Sequence, residues 1–449
     1  MLLLRHLGVT DFGRFATVTA ILGIVAGVTD AGLTAVGSRE ISVARTAVDR
    51  AHILNNLLFL RLIGAGLGVA AAVGFTVVAG YDSVVVAGTA IGGVGILLIS
   101  AQSMLTVPIW VALRLVSLTV LEVLRNLLTL VGVAVLVAAG AGLLPFFAIQ
   151  IGVAILLIPV TLLLARTGTR FARGVGRDAI LRLLRETLPL AVAFAMSVIY
   201  IRVLVVLVSL VSTEVQTGLF GTSFRIFEVL LALPALILSV ALPLLSVAGA
   251  EDERRLRGAL QSMTEASLLI AALLVVGIVI LAEAGIRLVS DEYLGAASVL
   301  RIQALALVPL FLVQTWQLGL IAGRAQRAMA VANGLALALV IGLGLAFVPS
   351  GGAEAAAWVA VAAETALAAA LWVALHRMRP GGAPTLWFAW KVVAAAGLAA
   401  GAGYLLRDSE VVAAVVATIV FVAVAVGTRA VPADLYHALG LTRDEEDDE

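Results

Sequence analysis

The chain has 449 residues, of which 62% are hydrophobic and 13% are charged, and its formal net charge is +1. This composition excludes an ordinary soluble globular protein, and a net charge so close to zero gives no support to nucleic-acid binding. Cysteine is absent, which excludes disulfides, thiolate nucleophiles and cysteine metal sites. We therefore expect an all-α polytopic membrane protein.

Apolar runs recur along the whole sequence, and each is long enough to cross about 30 Å of hydrocarbon as a helix of about 20 residues. Their positions predict thirteen membrane-spanning helices, at 12–36, 53–79, 84–106, 118–139, 143–166, 188–212, 217–247, 264–284, 296–321, 328–348, 352–376, 386–406 and 411–428. The first residues, MLLLRHLG, reach Arg5 and His6 before an apolar core forms, unlike a cleavable signal peptide. They are typical of the end of a helix, so we expect a fourteen-helix fold with a truncated first helix.

Arginine is concentrated in every second connection between the predicted spans. Connections rich in arginine remain on the cytoplasmic side of a membrane, so the pattern predicts orientation. The arginine-poor set is YDS at 81–83, GAGLLP at 140–145, STEVQT at 212–217, EAGIRLVSDEY at 283–293, PSGGA at 349–353 and RDSE at 407–410. We expect these six connections on the outer side and the acidic C-terminal tail in the cytoplasm.

The longest basic connection, RTGTRFARGVGRDAILRLLRET at 166–187, divides the chain near its middle. The predicted parts are an N-terminal lobe at 1–166, a cytoplasmic linker at 167–187, a C-terminal lobe at 188–376, two additional helices at 386–428 and an acidic tail at 429–449. Apolar residues are mixed with arginine after residue 179. We therefore expect the second half of the linker to form a short helix on the membrane surface.

One internal repeat relates the two predicted lobes. TDFGRFATVTAI at 10–21 and TGLFGTSFRIFE at 217–228 share glycine, a variable residue, phenylalanine, a small residue and threonine. Each copy begins on the predicted outer side and opens the second span of its lobe once the truncated helix is counted. Duplicated bundles of this kind are typical of transporters, which form the binding site between the copies.

Sequence signals for an enzyme are weak. There is no phosphate-binding loop of the ATPase type, and the glycine clusters at 64–68 and 91–95 lie inside spans, where glycine favours close helix packing. The four histidines lack metal-ligand spacing, and no serine lies in a nucleophile elbow. We therefore expect no enzyme, no catalytic residue, no metal site and no cofactor.

Ionisable side chains inside the spans are the informative residues, because intramembrane charge normally faces a protein interior or a wet cavity and marks a substrate or ion path. Arg61 and Arg202 have no opposite charge within one helical turn. Each needs a carboxylate from another helix or an anionic ligand group such as phosphate. Asp30 either lines the path, caps its helix or pairs with Arg39. The candidates for the cavity or for ion coupling are Asp30, Glu122 and Glu364.

Two charged pairs have local alternatives. Arg225 and Glu228 are three residues apart on one helical face, so they either neutralise each other or contact substrate. Glu122 and Arg125 have the same spacing near the end of their span. In the simpler interpretation, both side chains reach the cytoplasmic interface by snorkelling.

Several segments, taken in order, carry a family resemblance. They are LGVTDFGRFAT followed by DAGL and by RE at 39–40, LPLAVAFAMSVIYIRV, TGLFGTSFRIFEVLLALP closing with ALPLLS, SDEYLGAASVLRIQALALVP and GGAEAAAWVAVAAET. Together they span nearly the whole chain. The sequence resembles the polysaccharide-biosynthesis flippases, a branch of the superfamily that also contains multidrug and toxin extrusion (MATE) transporters and lipid II flippases.

The resemblance implies two six-helix lobes arranged as a MATE-like V, with an additional helix pair. It implies that the chain moves an undecaprenyl-diphosphate-linked oligosaccharide across the cytoplasmic membrane of a bacterium by alternating access. By position, Arg225 and Glu228 match the family's Arg and Glu in this helix, and Arg202 matches the Arg of its Tyr-x-Arg segment. The implied partners are the lipid-linked oligosaccharide, membrane lipids and a polysaccharide polymerase or export machinery.

One departure and two alternatives limit what the resemblance implies. Leu204 stands where family members commonly have an Asp, so the resemblance does not extend to ion coupling at this position. A cation-coupled multidrug exporter of the same superfamily is one alternative, against which positive lumen charge argues. A membrane-embedded glycosyltransferase, polymerase or ligase is the other, and it would need an acidic catalytic group on a sizeable outer loop.

Overall fold

A computed structural model describes residues 2–30, 32–165, 177–230, 253–322, 325–378, 383–406 and 409–431. Within these ranges, the side chains at 35, 177–191, 193–194, 253–256, 322 and 326 are not described. The described backbone consists of α-helices, one short 3₁₀-helix and their connections, without a strand. The all-α fold class expected from the sequence is confirmed.

The first half of the described chain contains eight helices, whose bounds follow the hydrophobic pattern closely. They are α1 (Leu2–Asp30), α2 (Leu33–Val43), α3 (Ala47–Val78), α4 (Ser83–Val111), α5 (Leu115–Ala138), α6 (Leu143–Ala165), α7 (Arg177–Val211) and α8 (214–230). Each apolar run from α3 to α6 forms one helix, as predicted. α8 is the helix of the second repeat copy, and the rest of its predicted span, 231–247, lies outside the described residues.

Two glycines with positive φ interrupt the helical structure at the start of the chain. Gly8 (φ 71°, ψ 170°) interrupts α1 and separates residues 2–7 from the long helix that follows. Gly32 (φ 83°) lies between α1 and α2. Glycine adopts positive φ without the steric cost that a side chain imposes. The single span predicted at 12–36 is therefore wrong, because α1 ends at Asp30 and a second helix begins at Leu33.

The second half of the described chain begins with α9 (Glu253–Arg287) and a 3₁₀-helix at Asp291–Tyr293. It continues with α10 (Gly295–Ala304), α11 (Leu307–Ala322), α12 (Gln326–Met378), α13 (Ala389–Leu405) and α14 (Glu410–Gly427). α10 and α11 share one predicted span. α12 joins two predicted spans through Gly352 (φ 56°, ψ −138°), which interrupts the helix at the predicted PSGGA connection.

The prediction of a short surface helix in the second half of the linker differs from the observed helix α7. This helix runs from Arg177 to Val211 without an interruption, so the second half of the linker continues into the span. No glycine occurs between these two residues, and the arginine and leucine residues there are strong helix formers. The first half of the linker, 166–176, lies outside the described residues.

The chain forms two compact units, Met1–Gly221 and Thr222–Glu449, and the limit between them falls within α8. α7 and the first part of α8 belong to the first unit. The lobes, linker, additional pair and tail predicted from the sequence, with their limits at 166, 187, 376 and 429, remain predictions.

Length and hydropathy identify the environment of these helices. Within the described residues, nine helices are long and apolar enough to cross a membrane. Ala195–Val211 of α7 and Ala389–Leu405 are shorter apolar helices. α5 exposes a row of aliphatic side chains, including Val116, Val123 and Val135, as lipid-facing helices do. The chain is a multi-pass membrane protein.

Small residues allow close packing inside each unit. On α4, Gly88 lies against Phe147 of α6, and Gly92 lies against Leu22 of α1. In the second unit, buried alanines of α13 and α14 pack with Leu268 and Phe421 in one apolar cluster that includes α9. Glycine and alanine let helix backbones approach closely in membranes. The glycine cluster at 91–95 therefore has a packing role.

Candidate functional site

Arg61 is a deeply buried cation, with 6% of its side chain exposed. Its Nη1 lies 3.0 Å from Oδ1 of Asp30, at the end of α1. The same oxygen accepts a hydrogen bond of 2.8 Å from Oγ1 of Thr34 on α2. Asp30 is 43% exposed, so the pair joins a buried cation to a carboxylate at the surface of the unit. Of the partners that the sequence allowed for Arg61, a carboxylate from another helix is the one observed.

The hydrogen bonding of Arg61 is incomplete. Its Nε and Nη1 are buried and have no acceptor in hydrogen-bonding geometry within the described part of the chain. The contact with Asp30 is therefore a close ion pair without an aligned N–H···O bond. Buried polar groups are nearly always hydrogen-bonded. The N–H groups on these two nitrogens are an exception, and they could donate hydrogen bonds to an additional oxyanion.

Arg202 on α7 packs against α1. Its guanidinium lies against Gly23, where a Cβ atom would come within 2.7 Å of Nε and 2.8 Å of Cζ. Leu204, two residues further along the same helix, is buried. The position of Arg202 thus depends on a glycine in the neighbouring helix, and the first unit contains two of the three predicted anion-binding arginines.

Arg225 and Glu228 form the local salt bridge that their spacing predicts, with 2.7 Å between Nη1 and Oε2. Arg225 is 71% exposed and Glu228 is 25% exposed. The neighbouring Ser223 is buried and donates a hydrogen bond of 2.5 Å to Oε1 of Gln303 on α10. This bond fixes one face of α8 within the second unit, while the other face presents Arg225. Substrate contact by this pair remains a prediction.

Glu122 and Arg125 also form an ion pair, at 3.1 Å. Arg125 Nη2 donates to Oε1 of Gln102 on α4 at 3.0 Å, and Gln102 Nε2 donates to Oγ1 of Thr161 on α6 at 3.1 Å. Gln102 and Thr161 are buried. A buried amide on α4 thus offers Arg125 an acceptor and turns the guanidinium towards the helix interface, while the snorkelling interpretation remains a prediction.

The candidate residues do not all lie in one unit. Asp30, Arg61, Glu122 and Arg202 belong to the first unit. Arg225, Glu228 and Glu364 belong to the second, and Glu364 is buried in the latter part of α12. The described residues contain no cluster of three or more metal-ligating side chains. The candidate site consists of separate charged positions. At two of them, Arg61 with Asp30 and Arg225 with Glu228, both residues of the ion pair are candidates for the site.

A further charged group, absent from the sequence predictions, lies near the start of the long part of α1. Arg14 is within 3.0 Å of Asp11 on its own helix, 3.0 Å of Asp82 before α4, and 2.9 Å of Glu214 at the start of α8. Its side chain is 25% exposed. We call these four residues the Arg14 cluster. Three carboxylates around one guanidinium give it a formal charge of −2.

Close backbone contact accompanies the Arg14 cluster. A Cβ atom on Gly13 would collide with the carbonyl oxygen of Glu214, and one on Gly218 would collide with the carbonyl oxygen of Val9. Gly13 and Gly218 are equivalent positions in the two copies of the internal repeat. The repeat glycines are therefore the points at which α1 and α8 cross.

The signal for this cluster was present in the loop pattern. YDS and STEVQT are both connections predicted on the outer side, and TDFGR begins on that side as well. Asp82 and Glu214 come from these two connections. Because all three segments are predicted on the same side of the membrane, the sequence could have predicted that Arg14 lies near Asp82 and Glu214.

Comparisons with known proteins place this geometry in a known fold. No protein-family profile and no curated protein sequence matches the chain. The solved structure of lipid II flippase MurJ in an inward closed conformation matches with a TM-score of 0.70 at 14% identity, over 96% of this chain and 97% of that chain. An inward-facing multidrug resistance MATE family transporter of the MOP superfamily matches with a TM-score of 0.72 at 15% identity, over 84% of this chain and 92% of that chain.

A MATE protein in a bent conformation matches more weakly, with a TM-score of 0.52 at 14% identity, over 85% of this chain and 95% of that chain. At such identities, the similarity establishes the fold. The chain is a multi-pass α-helical membrane protein with the fold shared by MurJ and MATE transporters. This fold agrees with the fold that the resemblance implies.

Proposed function

We propose that the chain is a flippase that translocates an undecaprenyl-diphosphate-linked oligosaccharide across the cytoplasmic membrane of a bacterium, by alternating access, for surface polysaccharide biosynthesis. The observation that carries the proposal is the similarity to the lipid II flippase MurJ over 96% of the chain. In this proposal the C-terminus is cytoplasmic, and a polysaccharide polymerase or export machinery receives the product.

Arginine chemistry supports an anionic substrate. Guanidinium groups bind phosphate oxygens through two parallel hydrogen bonds, and they do so most strongly where water is scarce. Arg61, Arg202 and Arg225 are the proposed contacts for the diphosphate. Arg225 is the most accessible in the structure, and Glu228 holds it at 2.7 Å on the same helical face. Glu228 therefore sets the direction in which Arg225 meets the substrate.

A cation-coupled multidrug exporter is the second candidate, because the solved MATE transporters share the fold. A cationic drug would be attracted by carboxylates without a positive partner. Asp30, Glu122 and Glu228 each lie within 3.1 Å of an arginine nitrogen. These pairs favour the anionic substrate, and the two candidates separate when both substrates are offered to the same protein.

Replacement of Arg202 or Arg225 by Ala tests the proposal in a host that lacks its own copy of the gene. We expect each variant to insert at normal levels and to abolish export of the surface polysaccharide, measured by cell-surface staining. The matched control is Arg287→Ala, which removes an arginine from a comparable pair, 2.6 Å from Glu283 at the end of α9. The control should export normally, and near-normal export by both test variants would overturn the assignment.

A further inference from the structure

Asn126 places an exposed amide in the middle of α5. It follows Leu115, the first residue of the helix, by eleven positions. This places it about 17 Å along the axis, near the centre of a bilayer about 30 Å thick. Its side chain is too short to reach either interface by snorkelling. Polar side chains at this depth normally face water or protein, because contact with lipid costs free energy. Asn126 therefore marks a face of α5 that does not contact lipid.

Three other polar residues share this face. Thr119, Glu122 and Thr129 are seven, four and three residues from Asn126, which is the spacing of one stripe along a helix. Thr119 and Glu122 are exposed, and Thr129 is half-buried. We call these four residues the α5 polar stripe. It is about 15 Å long, a length that a short oligosaccharide can follow.

The members of the α5 polar stripe have hydrogen-bonding capacity for a ligand. Oγ1 of Thr119 donates to the carbonyl oxygen of Leu115 at 3.1 Å. Oγ1 of Thr129 donates to the carbonyl oxygen of Arg125 at 2.8 Å. Each hydroxyl therefore uses its proton within the helix and keeps lone pairs that accept hydrogen bonds. The amide of Asn126 supplies donors as well as an acceptor.

Glu122 adds a carboxylate whose position is fixed by its neighbours. Its Oε2 lies 3.1 Å from Nη1 of Arg125, and Nη2 of Arg125 donates to Oε1 of Gln102. Glu122 is 59% exposed, whereas Arg125 is 29% exposed. The ion pair is neutral as a whole, and the carboxylate is its more accessible part. A ligand therefore meets acceptor oxygens here, and an acidic ligand group would meet a like charge.

We propose that the α5 polar stripe binds the sugar part of the lipid-linked substrate and selects neutral sugars over uronic acids. The inference rests on the proposed function and deepens it, because the arginines were assigned to the diphosphate and the glycan had no assigned contact. Sugar hydroxyl groups both donate and accept hydrogen bonds, so amide, carboxylate and hydroxyl side chains complement them. The carboxylate of a uronic acid beside Glu122 would be repelled, which lowers its affinity relative to a neutral sugar.

Another transmembrane helix is the alternative partner for a polar helix face. Helices approach each other closely in membranes where small residues line the contact. The two central members of the α5 polar stripe, Glu122 and Asn126, are larger and would hold a helix backbone away. Exposed side chains with several acceptors suit a hydrated ligand better, so the sugar is the occupant that the stripe favours.

The test uses the purified full chain in nanodiscs and three soluble probes. They are farnesyl diphosphate, farnesyl diphosphate with a disaccharide of N-acetylglucosamine, and farnesyl diphosphate with a disaccharide that contains glucuronic acid. Isothermal titration gives the affinity of each. We expect the unmodified chain to bind the neutral sugar probe about tenfold more tightly than farnesyl diphosphate. Asn126→Leu should lose about three- to tenfold of the affinity for the neutral sugar probe and none for farnesyl diphosphate.

Three further variants keep the result interpretable. Asn333→Leu is the matched control, because Nδ2 of Asn333 donates to the carbonyl oxygen of Met329 on its own helix at 2.9 Å. It should leave all three affinities unchanged. Asn126→Gln retains an amide and should retain most of the preference for sugar. Glu122→Gln removes the negative charge, so the affinity for the glucuronic acid probe should rise about threefold relative to the neutral sugar probe.

Several results would overturn the inference. Equal losses for the sugar-bearing and sugar-free probes in Asn126→Leu would show a structural role, and an unmodified chain without a preference for sugar would have no sugar site. An unchanged ratio between the two sugar probes in Glu122→Gln would overturn the selectivity. A change in particle mass of Asn126→Leu by light scattering, with unchanged sugar affinity, would identify α5 as a helix contact instead.

Failure of this inference is distinguishable from failure of the proposed function. Leaflet exchange of a lipid-linked sugar that is equal in the unmodified chain and Asn126→Leu, without a preference for sugar in binding, would remove the site and leave the flippase. Sugar-selective binding in a chain that moves no lipid-linked sugar would retain the site and remove the translocation role.

Discussion

Two arginines of the first unit, Arg14 and Arg61, differ in how their positive charges are neutralised. Arg14 is one-quarter exposed and contacts three carboxylates from three parts of the chain. Arg61 is almost fully buried and, among the residues that the structure describes, contacts one carboxylate. The cost of burying a charge increases as water is removed. On electrostatic grounds alone, the more deeply buried Arg61 would be expected to contact more carboxylates than Arg14. The better-solvated arginine has the more extensive set of partners.

This difference indicates different roles. The Arg14 cluster joins α1, the start of α4 and the start of α8 at the point where two glycines bring the backbones together, which is an arrangement that favours one fixed geometry. Within the described residues, Arg61 retains unsatisfied donors, and its observed partner is Asp30. The first arrangement stabilises a helix crossing, whereas the second leaves donor groups of a buried cation unsatisfied.

Charge reversal at Arg14 should have the largest effect on stability. Arg14→Glu would place four carboxylates together without a cation, so we expect a loss of about 2–4 kcal/mol in the free energy of unfolding. Denaturant unfolding in detergent measures it. Arg287→Glu is the control, because its pair with Glu283 lies at a helix end and is more exposed. Equal losses at the two positions would contradict a special role for the cluster.

A methyl group at the helix crossing should have the next largest effect. The Cβ atom of Gly218→Ala would collide with the backbone of Val9, and backbone atoms cannot move aside cheaply. We expect a loss of about 1–3 kcal/mol in unfolding experiments. Gly74→Ala on α3 is the control, because no atom lies within 4 Å of its added Cβ, and it should be neutral or slightly stabilising.

The Arg61 pair should respond differently to paired substitution. Arg61→Met alone leaves Asp30 without its cation, and we expect a loss of about 1–2 kcal/mol, since Asp30 keeps part of its hydration. The double variant Arg61→Met with Asp30→Leu should recover this loss, because an apolar pair avoids the desolvation cost of the charges. A double variant that is less stable than both single variants would show that the ion pair stabilises the fold.

Tyr81 gives the smallest effect and also a dependence on pH. Its hydroxyl is 2.7 Å from Oγ of Ser209, so it ties the connection that carries Asp82 to α7. Tyr81→Phe should cost about 0.5–1.5 kcal/mol in unfolding experiments. Burial raises the pKa of the Tyr81 phenol, partly offset by the Ser209 hydrogen bond. Its contribution to stability is therefore complete below the usual tyrosine pKa and declines as the pH rises through the raised value.

That decline should be absent in Tyr81→Phe when unfolding is measured between neutral and alkaline pH. The ultraviolet absorbance of phenolate gives a second measurement, because the unmodified chain should contain one more late-ionising tyrosine than Tyr81→Phe does. An unchanged alkaline titration in the variant would contradict the burial of this hydroxyl.

Local spacing was sufficient to predict some of the charged contacts. Arg225 and Glu228 form a salt bridge because side chains three residues apart share a helix face, a geometry that sequence reveals directly. The all-α class and the positions of α3 to α6 follow equally from the length of apolar runs. These features depend on residues that are neighbours along the chain.

Contacts between distant residues were beyond the reach of local patterns. Arg14 meets Glu214, which lies 200 positions away, and Arg61 meets a carboxylate on another helix. The direction of Arg125 depends on Gln102, whose amide is visible in the sequence but whose orientation is decided by packing. The breaks at Gly32 and Gly352 also depend on tertiary context, because most other glycines in the described spans remain helical.

The most direct test of the account offers both proposed substrates to the same proteoliposomes. One is an undecaprenyl-diphosphate oligosaccharide with a fluorescent sugar, whose leaflet exchange is followed with a membrane-impermeant quencher. The other is a cationic dye, whose accumulation is followed under a proton gradient. The account predicts protein-dependent leaflet exchange of the sugar lipid, with no new glycosidic bond and no dye accumulation. Dye accumulation with an immobile sugar lipid would contradict it and would identify a multidrug exporter instead.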